Sequence, residues 1–331
     1  MIHVLQIGFG PLGIQIGKYI AQKSTVKTIV GVDVNANLIG KPLSELDHNL
    51  SNDVLIFASV KEAVDYLEIK PDIAIITTVS SLEKLIPQIE EVAAFGIPVI
   101  STCEELSYPW ILQPELSKKL DTICKKYNIT CLGTGVNPGF LMDYLPAVFT
   151  SISKEIEQIT VERVQDATPR RVPFQRKIGA GLTLDEFKKK EATGTLRHVG
   201  LQESVYLLAN SMGLELDEVT ESLHPVIAET AVASQAINVD KGDARGVEQI
   251  AHGYENGICK IKMHFKAAIG ESRSFDKVTI KGVPNFTSEI DGGINGDIAT
   301  CAITINCIHS VLKAPVGLQT MATIAVPGFI S

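Results

Sequence analysis

MIHVLQIGFGPLG, residues 1–13, is the stretch that decides the fold. Its first seven residues suit a short apolar strand, and an apolar helical pattern begins at Leu12. The glycines between them, Gly8, Gly10 and Gly13, have the G-x-G-x-x-G spacing of a dinucleotide-binding turn. Gly8 permits the tight turn, Gly10 lets the backbone approach a pyrophosphate, and Gly13 lets the helix pack on the strand. We therefore predict a Rossmann unit in which Gly8-Phe9-Gly10-Pro11-Leu12-Gly13 and the helix N-terminus bind the phosphates.

An acidic residue follows this turn at the distance that a dinucleotide requires. Residues 28–32 form a second apolar strand, and Asp33 ends it, 20 residues after Gly13. A carboxylate there can bond the adenosine ribose hydroxyls and would repel a 2′-phosphate, so Asp33 favours NAD. No Arg follows closely, but Asn35 could tolerate a phosphate, and NADP stays open. A glycine-rich turn without a ligand is the alternative, which the strand, the helix and the acid together disfavour.

Strands and helices alternate through the rest of the N-terminal half. Ser59 and Ser81 stand where helix N-caps belong, and Gly96 stands where the second of these helices should end. The alternation predicts a doubly wound parallel sheet of about six strands. The further predicted strands are 54–57, 73–78, 98–103 and 129–133, and the predicted helices are 60–67, 82–95 and 114–127.

Candidate ligand contacts follow from this sheet, because ligands bind beyond the carboxyl ends of its strands. Further contacts to the cofactor are predicted from Thr77, Thr78, Val79, Cys103 and Asn137. Hydride transfer is mostly the cofactor's chemistry, so the protein must supply position, exclusion of water and a proton handler. Glu104 is the first candidate for that proton handler, and Glu105 competes with it. From position alone, capping the following turn explains Glu104 equally well.

The second half has a different pattern. Residues 156–165 alternate apolar and polar, as in a half-buried antiparallel strand, and 224–239, 246–269 and 274–281 also resemble strands. Asn256-Gly257 predicts a hairpin turn. Helices are predicted over 200–212 and 297–312. We predict an α+β domain with a mixed or antiparallel sheet. The expected domains are a dinucleotide-binding domain over 1–137, a substrate-binding and dimerisation domain over 138–296, and a C-terminal segment, 297–331, that packs back on the first.

Composition narrows the class of protein. The 331 residues are 45% hydrophobic and 21% charged, which suits a folded protein with a sizeable core. The formal charge of −8 argues against nucleic-acid and anionic-membrane partners, which need a basic face. No apolar run is long enough for a membrane span, and the N-terminus lacks the features of a signal peptide. The six cysteines show no CxxC or metal-ligand spacing, so we expect reduced thiols, no metal site and a cytoplasmic protein.

Four features of the second half are candidates for substrate contacts, each with a structural alternative. His198 and His264 could be ligands, but a lone His on a strand is more often a packing residue. Arg163 could bind a substrate carboxylate or form a structural ion pair. The basic, Gly-containing segment 170–181 could close over a substrate or be a solvated loop.

Several runs resemble one family over nearly the whole chain. GTGVNPGFLMD (133–143), ERVQDATPRRVPFQRKIGAGLT (162–183), RHVGLQES (197–204) and PVGLQTMATIAVPGF (315–329) are similar to 2,4-diaminopentanoate dehydrogenases. Those enzymes are related to the dihydrodipicolinate reductase superfamily, and close relatives are amine dehydrogenases. The chain lacks the paired-His and Lys motif of true dihydrodipicolinate reductases, which argues against that activity.

The resemblance implies NAD(P)-dependent oxidative deamination of an amine to a ketone and ammonia, and the reverse reductive amination. It implies a catalytic role for Glu104, in the run Ser101-Thr102-Cys103-Glu104-Glu105-Leu106. A carboxylate there can activate water and stabilise a cationic iminium, and as an acid it can protonate the departing hydroxyl. A homodimer is also implied. The residues that the resemblance places around the substrate are Phe140, Met142, Arg163, Gln165, His198 and His264.

Two other functions compete with this one. One is a dehydrogenase or reductase of another amino or imino acid. The other is a non-catalytic NAD(P)-binding sensor, against which the acidic residue and the charged segment argue. The exact substrate, a diamino acid or a simple ketone with ammonia, is left open by the sequence.

Overall fold

The chain folds into two compact units. A computed structural model describes residues 1–194, 196 and 199–331. The first unit comprises Met1–Phe140 and Gly296–Ser331, and the second comprises Leu141–Asn295. The candidate His198 lies outside the described residues.

The strands and helices are numbered here in chain order. The strands are β1 (Ile2–Ile7), β2 (Val26–Val32), β3 (Ile56–Phe57), β4 (Ile73–Ile76), β5 (Val99–Ser101), β6 (Thr130–Gly133), β7 (Glu155–Asp166), β8 (Glu218–Ile227), β9 (Val232–Ala233), β10 (Asn238–Val239), β11 (Ala244–Glu255), β12 (Ile258–Ala268), β13 (Phe275–Val283), β14 (Phe286–Asp291) and β15 (Gly317–Gln319). The helices are α1 (Pro11–Ala21), α2 (Val60–Tyr66), α3 (Leu82–Ala93), α4 (Pro114–Lys126), α5 (Tyr144–Thr150), α6 (Val172–Lys177), α7 (Leu184–Ala192), α8 (Leu201–Met212), α9 (Gly296–Asn306) and α10 (Ile308–Lys313).

The first unit is built on a parallel sheet in the order β15-β6-β5-β4-β1-β2-β3. All its strand pairs are parallel. β1 lies between β2 and β4, so the chain turns away from β1 in two directions, which is the switch point at which ligands of such sheets bind. The predicted doubly wound fold is confirmed. The sheet has seven strands rather than about six, because the three-residue β15 is too short to show a periodicity in the sequence.

Apolar runs explain this sheet. Residues of β4, Ile73–Ile76, are all fully buried, as expected for a strand covered on both faces. α3 turns Leu82, Leu85, Ile86 and Ile89 into the same core. Ser59 caps α2 as predicted, with its hydroxyl accepting from the Glu62 N–H. The predicted single helix over 297–312 is wrong, since the chain breaks at Cys307 into α9 and α10.

The second unit contains a mixed sheet in the order β14-β13-β7-β12-β11-β8. β7 and β12 are parallel and the other pairs are antiparallel. The predicted turn between β11 and β12 is confirmed, with Asn256 and Gly257 at φ 53° and 72°. The predicted strand over 224–239 is wrong. β8 ends at Ile227, and a separate two-strand ribbon, β9 and β10, follows.

One face of this sheet is covered by helix. α8 packs on β8, β11 and β12, and its apolar residues Val205 and Leu208 are fully buried there. α8 ends where the sequence predicted, since Gly213 takes the left-handed conformation at φ 69°. In the described part of the chain, no helix combines the length and apolar character needed to cross a membrane.

Candidate functional site

Two glycines of the β1–α1 turn are required by packing inside the protein. Gly8 has φ +90°, and its N–H donates to the Val32 carbonyl at 2.9 Å. A Cβ on Gly8 would lie 2.8 Å from Cγ2 of Thr78. A Cβ on Gly13 would lie 2.0 Å from the Gly8 oxygen, which no side chain can tolerate. The first turn of α1 therefore rests directly on the end of β1.

The third glycine of the turn faces open space. Gly10 is the N-cap of α1 with φ −66°, a conformation that other residues also adopt. No described atom lies within 4 Å of where its Cβ would be. Pro11 follows at the first helical position, and the described part of the chain supplies neither a side-chain cap nor an acid in the first turn. The helix thus presents its positive end to a region that the protein leaves clear, as an anion site requires.

Asp33 lies beside this turn and is held there by two backbone bonds. Its Oδ2 accepts from the Phe9 N–H at 2.7 Å, and its Oδ1 accepts from the Asn35 N–H at 2.8 Å. Phe9 itself is buried in a small cluster with Leu43 and Ile56. Asp33 is half-buried and Asn35 is exposed. The carboxylate is therefore fixed next to the fingerprint, with part of its surface open to solvent.

The end of β4 supports the turn from its other side. The Thr77 hydroxyl donates to the Gly8 carbonyl at 2.9 Å. The Thr78 hydroxyl donates to Oε1 of Gln88 at 2.7 Å, and Val79 is half-buried. Thr77 thus has a structural role that the sequence did not show, because it fixes the carbonyl against which Gly13 packs.

Asn137, after β6, is the clearest sign of a ligand. It is 8% exposed, and among the described residues neither its amide nitrogen nor its amide oxygen has a hydrogen-bond partner. Leaving such buried groups unpaired costs about 1–3 kcal/mol each, so native proteins rarely do it without a reason. The open space at Gly10, the uncapped helix and this unpaired amide together fit a dinucleotide along the carboxyl ends of the strands.

Glu104 lies in a short 3-10 turn, Glu104–Leu106, directly after β5. It is half-buried, and its backbone carbonyl accepts the Ser107 hydroxyl at 2.8 Å. Cys103, before it, is 1% exposed. Burial, reinforced by the negative charge of Glu104, raises the pKa of the Cys103 thiol to about 12, so this thiol stays protonated and unreactive. Cys103 is therefore an uncharged neighbour of the Glu104 carboxylate.

The neighbouring Glu105 has a structural task. Its Oε2 accepts from the Leu82 N–H at 2.8 Å and from Nε2 of Gln113 at 2.9 Å. Glu105 thereby caps α3, a role that the sequence assigned to Ser81. Ser81 does stand at the N-cap position, as predicted, but its side chain makes no cap bond among the described residues. The Glu105 carboxylate is therefore used to hold the starts of α3 and α4 in place.

In the second unit, Arg163 forms a buried ion pair. It is 2% exposed, its Nη1 pairs with Oδ1 of Asp276, and its Nη2 donates to the Ile294 carbonyl at 2.9 Å. Oδ2 of Asp276 accepts from the Ile294 N–H at 2.7 Å. Burial lowers the pKa of the guanidinium, and Asp276 opposes that shift. Of the two roles that the sequence allowed Arg163, the structure shows the ion pair.

The other predicted substrate residues differ in their surroundings. Met142 is fully buried in the hydrophobic core of the second unit, and Phe140, at the end of the first unit, is half-buried. His264 pairs with Oε1 of Glu248 at 2.7 Å on the sheet face away from the core. Gln165 is 5% exposed and packs against Gly293, where any Cβ would lie 2.4 Å from its Nε2.

The basic segment 170–181 is partly helical and well anchored. Its residues 172–177 form α6, and the guanidinium of Arg170 lies 4.1 Å from the Phe174 ring centroid. Gln175 is buried and donates to three backbone carbonyls, those of Ala167, Thr168 and Arg170. The segment is thus a fixed element with exposed cations, and it is not the unstructured loop considered from the sequence.

Asp276, Gln113 and Gly133 are further residues that shape these sites and that the sequence did not reveal. Asp276 lies 113 residues from Arg163 and Gln113 lies eight residues from Glu105, and a single polar residue gives no pattern. A Cβ on Gly133 would lie 2.6 Å from the Leu106 carbonyl group. The only signal for Gly133 is a glycine at the end of a strand, where close approach of backbones is common.

Comparison with known proteins shows the family of this chain. Residues 140–331 match the model of the 2,4-diaminopentanoate dehydrogenase C-terminal domain, and residues 1–104 match that of a CoA binding domain. A 2,4-diaminopentanoate dehydrogenase from Acetoanaerobium sticklandii is 30% identical over 336 residues, which cover 98% of this chain and 94% of that protein. The chain belongs to the 2,4-diaminopentanoate dehydrogenase family. The resemblance seen in the sequence, and with it the prediction of an NAD(P)-dependent dehydrogenase, is confirmed.

Solved structures support the fold of this family member. An amine dehydrogenase from Mycobacterium smegmatis superposes with a TM-score of 0.86 at 22% identity, covering 99% of this chain and 97% of that one. The WlbA dehydrogenase from Bordetella pertussis, solved with NADH and UDP-GlcNAcA, superposes with a TM-score of 0.56 at 14% identity, covering 97% and 92%. At these identities the likeness shows the fold alone.

Replacing Gly10 tests whether the open space serves a ligand. Gly10→Ala adds a methyl group that meets no described atom of the protein, so we expect an unchanged Tm. Overpacking against a bound phosphate costs about 1–3 kcal/mol, which raises the Kd for NADH about 5- to 150-fold. Fluorescence titration measures the Kd. The matched control is Gly328→Ala, also in open space. Equal affinity in both variants would contradict a phosphate site at Gly10.

Removing Asp276 tests the buried ion pair. Asp276→Ala leaves the Arg163 charge buried and unpaired, which we expect to cost about 3–5 kcal/mol of unfolding free energy. Calorimetry should show a clear fall in Tm, and the double variant Arg163→Met/Asp276→Ala should recover part of it. Glu157→Ala, which breaks the exposed pair with Lys281, is the control and should cost less than about 1 kcal/mol. A loss in Asp276→Ala no larger than in the control would disprove the structural role.

Proposed function

We propose that the chain catalyses NAD(P)-dependent oxidative deamination of a primary amine to a ketone and ammonia, and the reverse reductive amination. The observation that carries this proposal is the position of Glu104. β5 lies two strands from β1 in the sheet, about 10 Å away at ordinary strand spacing, and Glu104 follows its carboxyl end. Asp33 lies on the opposite side of β1, at the end of β2. With the ribose at Asp33, the nicotinamide half falls on the side of β4, β5 and Glu104.

The residues that would hold the dinucleotide follow the ends of five strands of the first unit, β1, β2, β4, β5 and β6. The bound nicotinamide supplies the hydride chemistry, and the protein supplies its position. The turn and α1 would hold the pyrophosphate, Asp33 would hold the adenosine ribose, and the Asn137 amide, which has no partner among the described residues, would complete the site. The proposed contacts are Gly8, Phe9, Gly10, Pro11, Leu12, Gly13, Asp33, Asn35, Thr77, Thr78, Val79, Cys103 and Asn137.

Glu104 would act on protons and on charge. Loss of a hydride from the amine-bearing carbon leaves a cationic iminium, which a nearby carboxylate stabilises when solvent is excluded. The carboxylate then takes a proton from the water that adds to this carbon. In the reverse sense the carboxylic acid gives that proton to the departing hydroxyl of the amino alcohol. The neutral thiol of Cys103 leaves this carboxylate as the acid–base group of the turn.

Within the NAD(P) class we propose NAD as the preferred cofactor. The Asp33 carboxylate is fixed by two backbone N–H groups and cannot easily move away from a 2′-phosphate. Its negative charge would repel that group at close range. Asn35 is exposed and gives no compensating positive charge.

The substrate is proposed to be an amine on a secondary carbon, as in 2,4-diaminopentanoate or the products of short ketones. Arg163 does not favour a carboxylated substrate, because Asp276 neutralises it and Ile294 occupies a further donor. The exposed Arg171 and Arg176 of the basic segment are the remaining candidates for a substrate carboxylate. We assign substrate binding to the second unit, with Gln165, His198 and His264 among its candidate contacts.

A substrate panel tests the function. Purified protein is given NAD or NADP with 2,4-diaminopentanoate, or NADH or NADPH with ammonia and short aliphatic ketones, and absorbance of the reduced cofactor is followed. We expect turnover with at least one pair, and a loss of about 10²–10⁴-fold in kcat for Glu104→Gln. NADH affinity should stay unchanged in this variant.

The control for that panel is Glu83→Gln, which removes an exposed acid from the first turn of α3. It should retain the wild-type kcat. Tight NADH binding without turnover of any substrate would favour the sensor. Turnover of another amino or imino acid alone would favour the other dehydrogenase. Wild-type kcat in Glu104→Gln would remove Glu104 from the mechanism.

We also propose a homodimer in the cytoplasm, formed through the sheet of the second unit. The face of this sheet opposite α8 carries positive and negative side chains that pair with each other, among them Lys277 with Glu162 and His264 with Glu248. Such a charge-balanced face can meet its own copy around a two-fold axis. All six cysteines are free thiols, which suits a reducing compartment.

Light scattering after gel filtration tests the dimer and should give twice the mass of one chain. Thr279→Arg adds a third cation beside Lys277 and Lys281 on this face, so we expect it to shift the protein to monomer. Thr122→Arg, on the exposed side of α4, is the control and should leave the mass unchanged. A wild-type monomer, or a dimer that ignores Thr279→Arg, would refute this interface.

A further inference from the structure

Glu105, the residue after Glu104, joins the Glu104–Leu106 turn to two helices, α3 and α4. Oε2 of Glu105 accepts from the Leu82 N–H, the first residue of α3, at 2.8 Å. The same oxygen accepts from Nε2 of Gln113, the N-cap residue of α4, at 2.9 Å. The N–H of Glu105 faces the Ser80 carbonyl at 3.5 Å. One carboxylate therefore connects the end of β5, the loop after β4 and the start of α4.

This capping arrangement is long-range. A helix N-terminus is normally capped by the residue just before it, and Ser81 is of a suitable type. Here the acceptor comes from 23 residues further along the chain. A carboxylate at this position gains both a charge-assisted hydrogen bond and the favourable field of the helix N-terminus. This contribution to the stability of α3 therefore depends on the position of the Glu104–Leu106 turn.

The turn is fixed from its other side by β6. Gly133 ends β6, and a Cβ there would lie 2.6 Å from the carbonyl carbon and oxygen of Leu106. The backbones of β6 and the turn are therefore in direct contact. The Ser107 hydroxyl, at 2.8 Å from the Glu104 carbonyl, closes the turn. With Glu105 anchored on one side and Leu106 on the other, the backbone of Glu104 has little freedom to shift.

We propose that Glu105 is a positioning residue that acts through Glu104, an inference that rests on the proposed role of Glu104. The two adjacent acids divide the work. Glu104 handles protons, and Glu105 holds the turn at the distance from the loop 77–81 that the reaction needs. A displacement of about 1 Å in a reacting group can cost about 100-fold in rate, so such anchoring matters for kcat.

Substitution of Glu105 tests this inference. In Glu105→Ala both bonds to Oε2 are lost, and we expect kcat to fall about 10- to 100-fold. In Glu105→Gln an amide oxygen in the place of Oε2 can still accept from both the Leu82 N–H and Nε2 of Gln113. This conservative variant should return kcat to within about 3-fold of wild type. Glu83→Gln, a charge removed from the same helix turn without contact to Glu105, should behave as wild type.

A double-mutant cycle separates positioning from general stability. Because Glu105 acts through Glu104, Glu105→Ala should have little further effect on kcat in a Glu104→Gln background. Multiplication of the two losses would overturn the inference, as would wild-type kcat in Glu105→Ala. Assays are run at a temperature at which circular dichroism shows each variant folded. If Glu105→Ala fails to fold, Gln113→Ala replaces it, with a smaller but equally non-additive loss expected.

The outcomes also separate this inference from the proposed function. Unchanged kcat in Glu104→Gln would refute the role of Glu104 itself. A large loss in Glu104→Gln together with no loss in Glu105→Ala would refute only the positioning role.

Discussion

The structure of the first unit depends on the contact between Gly13 and the Gly8 carbonyl. No Cβ fits at residue 13, because it would lie 2.0 Å from that oxygen. The contact lets α1 start immediately beyond β1, and two polar side chains hold it. Thr77 donates to the Gly8 oxygen, and Nε2 of the fully buried Gln6 donates to the Gly13 oxygen. The ends of β1 and β4 and the start of α1 therefore meet at one point. The proposed dinucleotide site surrounds this point.

Three carboxylates at the edge of this sheet have separate tasks because of what surrounds them. Asp33 is fixed by two backbone N–H groups beside the β1–α1 turn, and we propose that it binds the ribose end of the dinucleotide. Glu105 is bound to a helix N-terminus and an amide, so its charge is used by the scaffold. Glu104, one residue earlier, keeps a half-buried position beside a neutral thiol. Hydrogen bonds to backbone N–H groups fix the carboxylates of Asp33 and Glu105, and the proton exchange that we propose at this edge of the sheet is assigned to Glu104.

The second unit shows the same principle with the opposite charge. Arg163 has the residue type for binding a substrate carboxylate, yet its buried surroundings include Asp276 and a backbone carbonyl. An unpaired guanidinium would be very costly at 2% exposure, so the ion pair is needed for this strand to be buried at all. The anchored basic segment also carries exposed cations, Arg171 and Arg176, on a backbone that Gln175 fixes.

The sequence by itself determined the elements whose signals are local. The glycine fingerprint, Asp33 at its spacing, the alternating strands and helices, the Asn256-Gly257 turn and the family resemblance all depend on residues close together in the chain. Tertiary structure alone decided which side chains meet over long separations. Three of these features join residues that are distant in the chain: the cap of α3 by Glu105, the pairing of Arg163 with Asp276, and the seventh strand β15 beside β6. A fourth is the Asn137 amide, which has no partner among the described residues. A single polar residue has no periodicity, so only the packed fold shows whether it is bound by the scaffold or is left for a ligand.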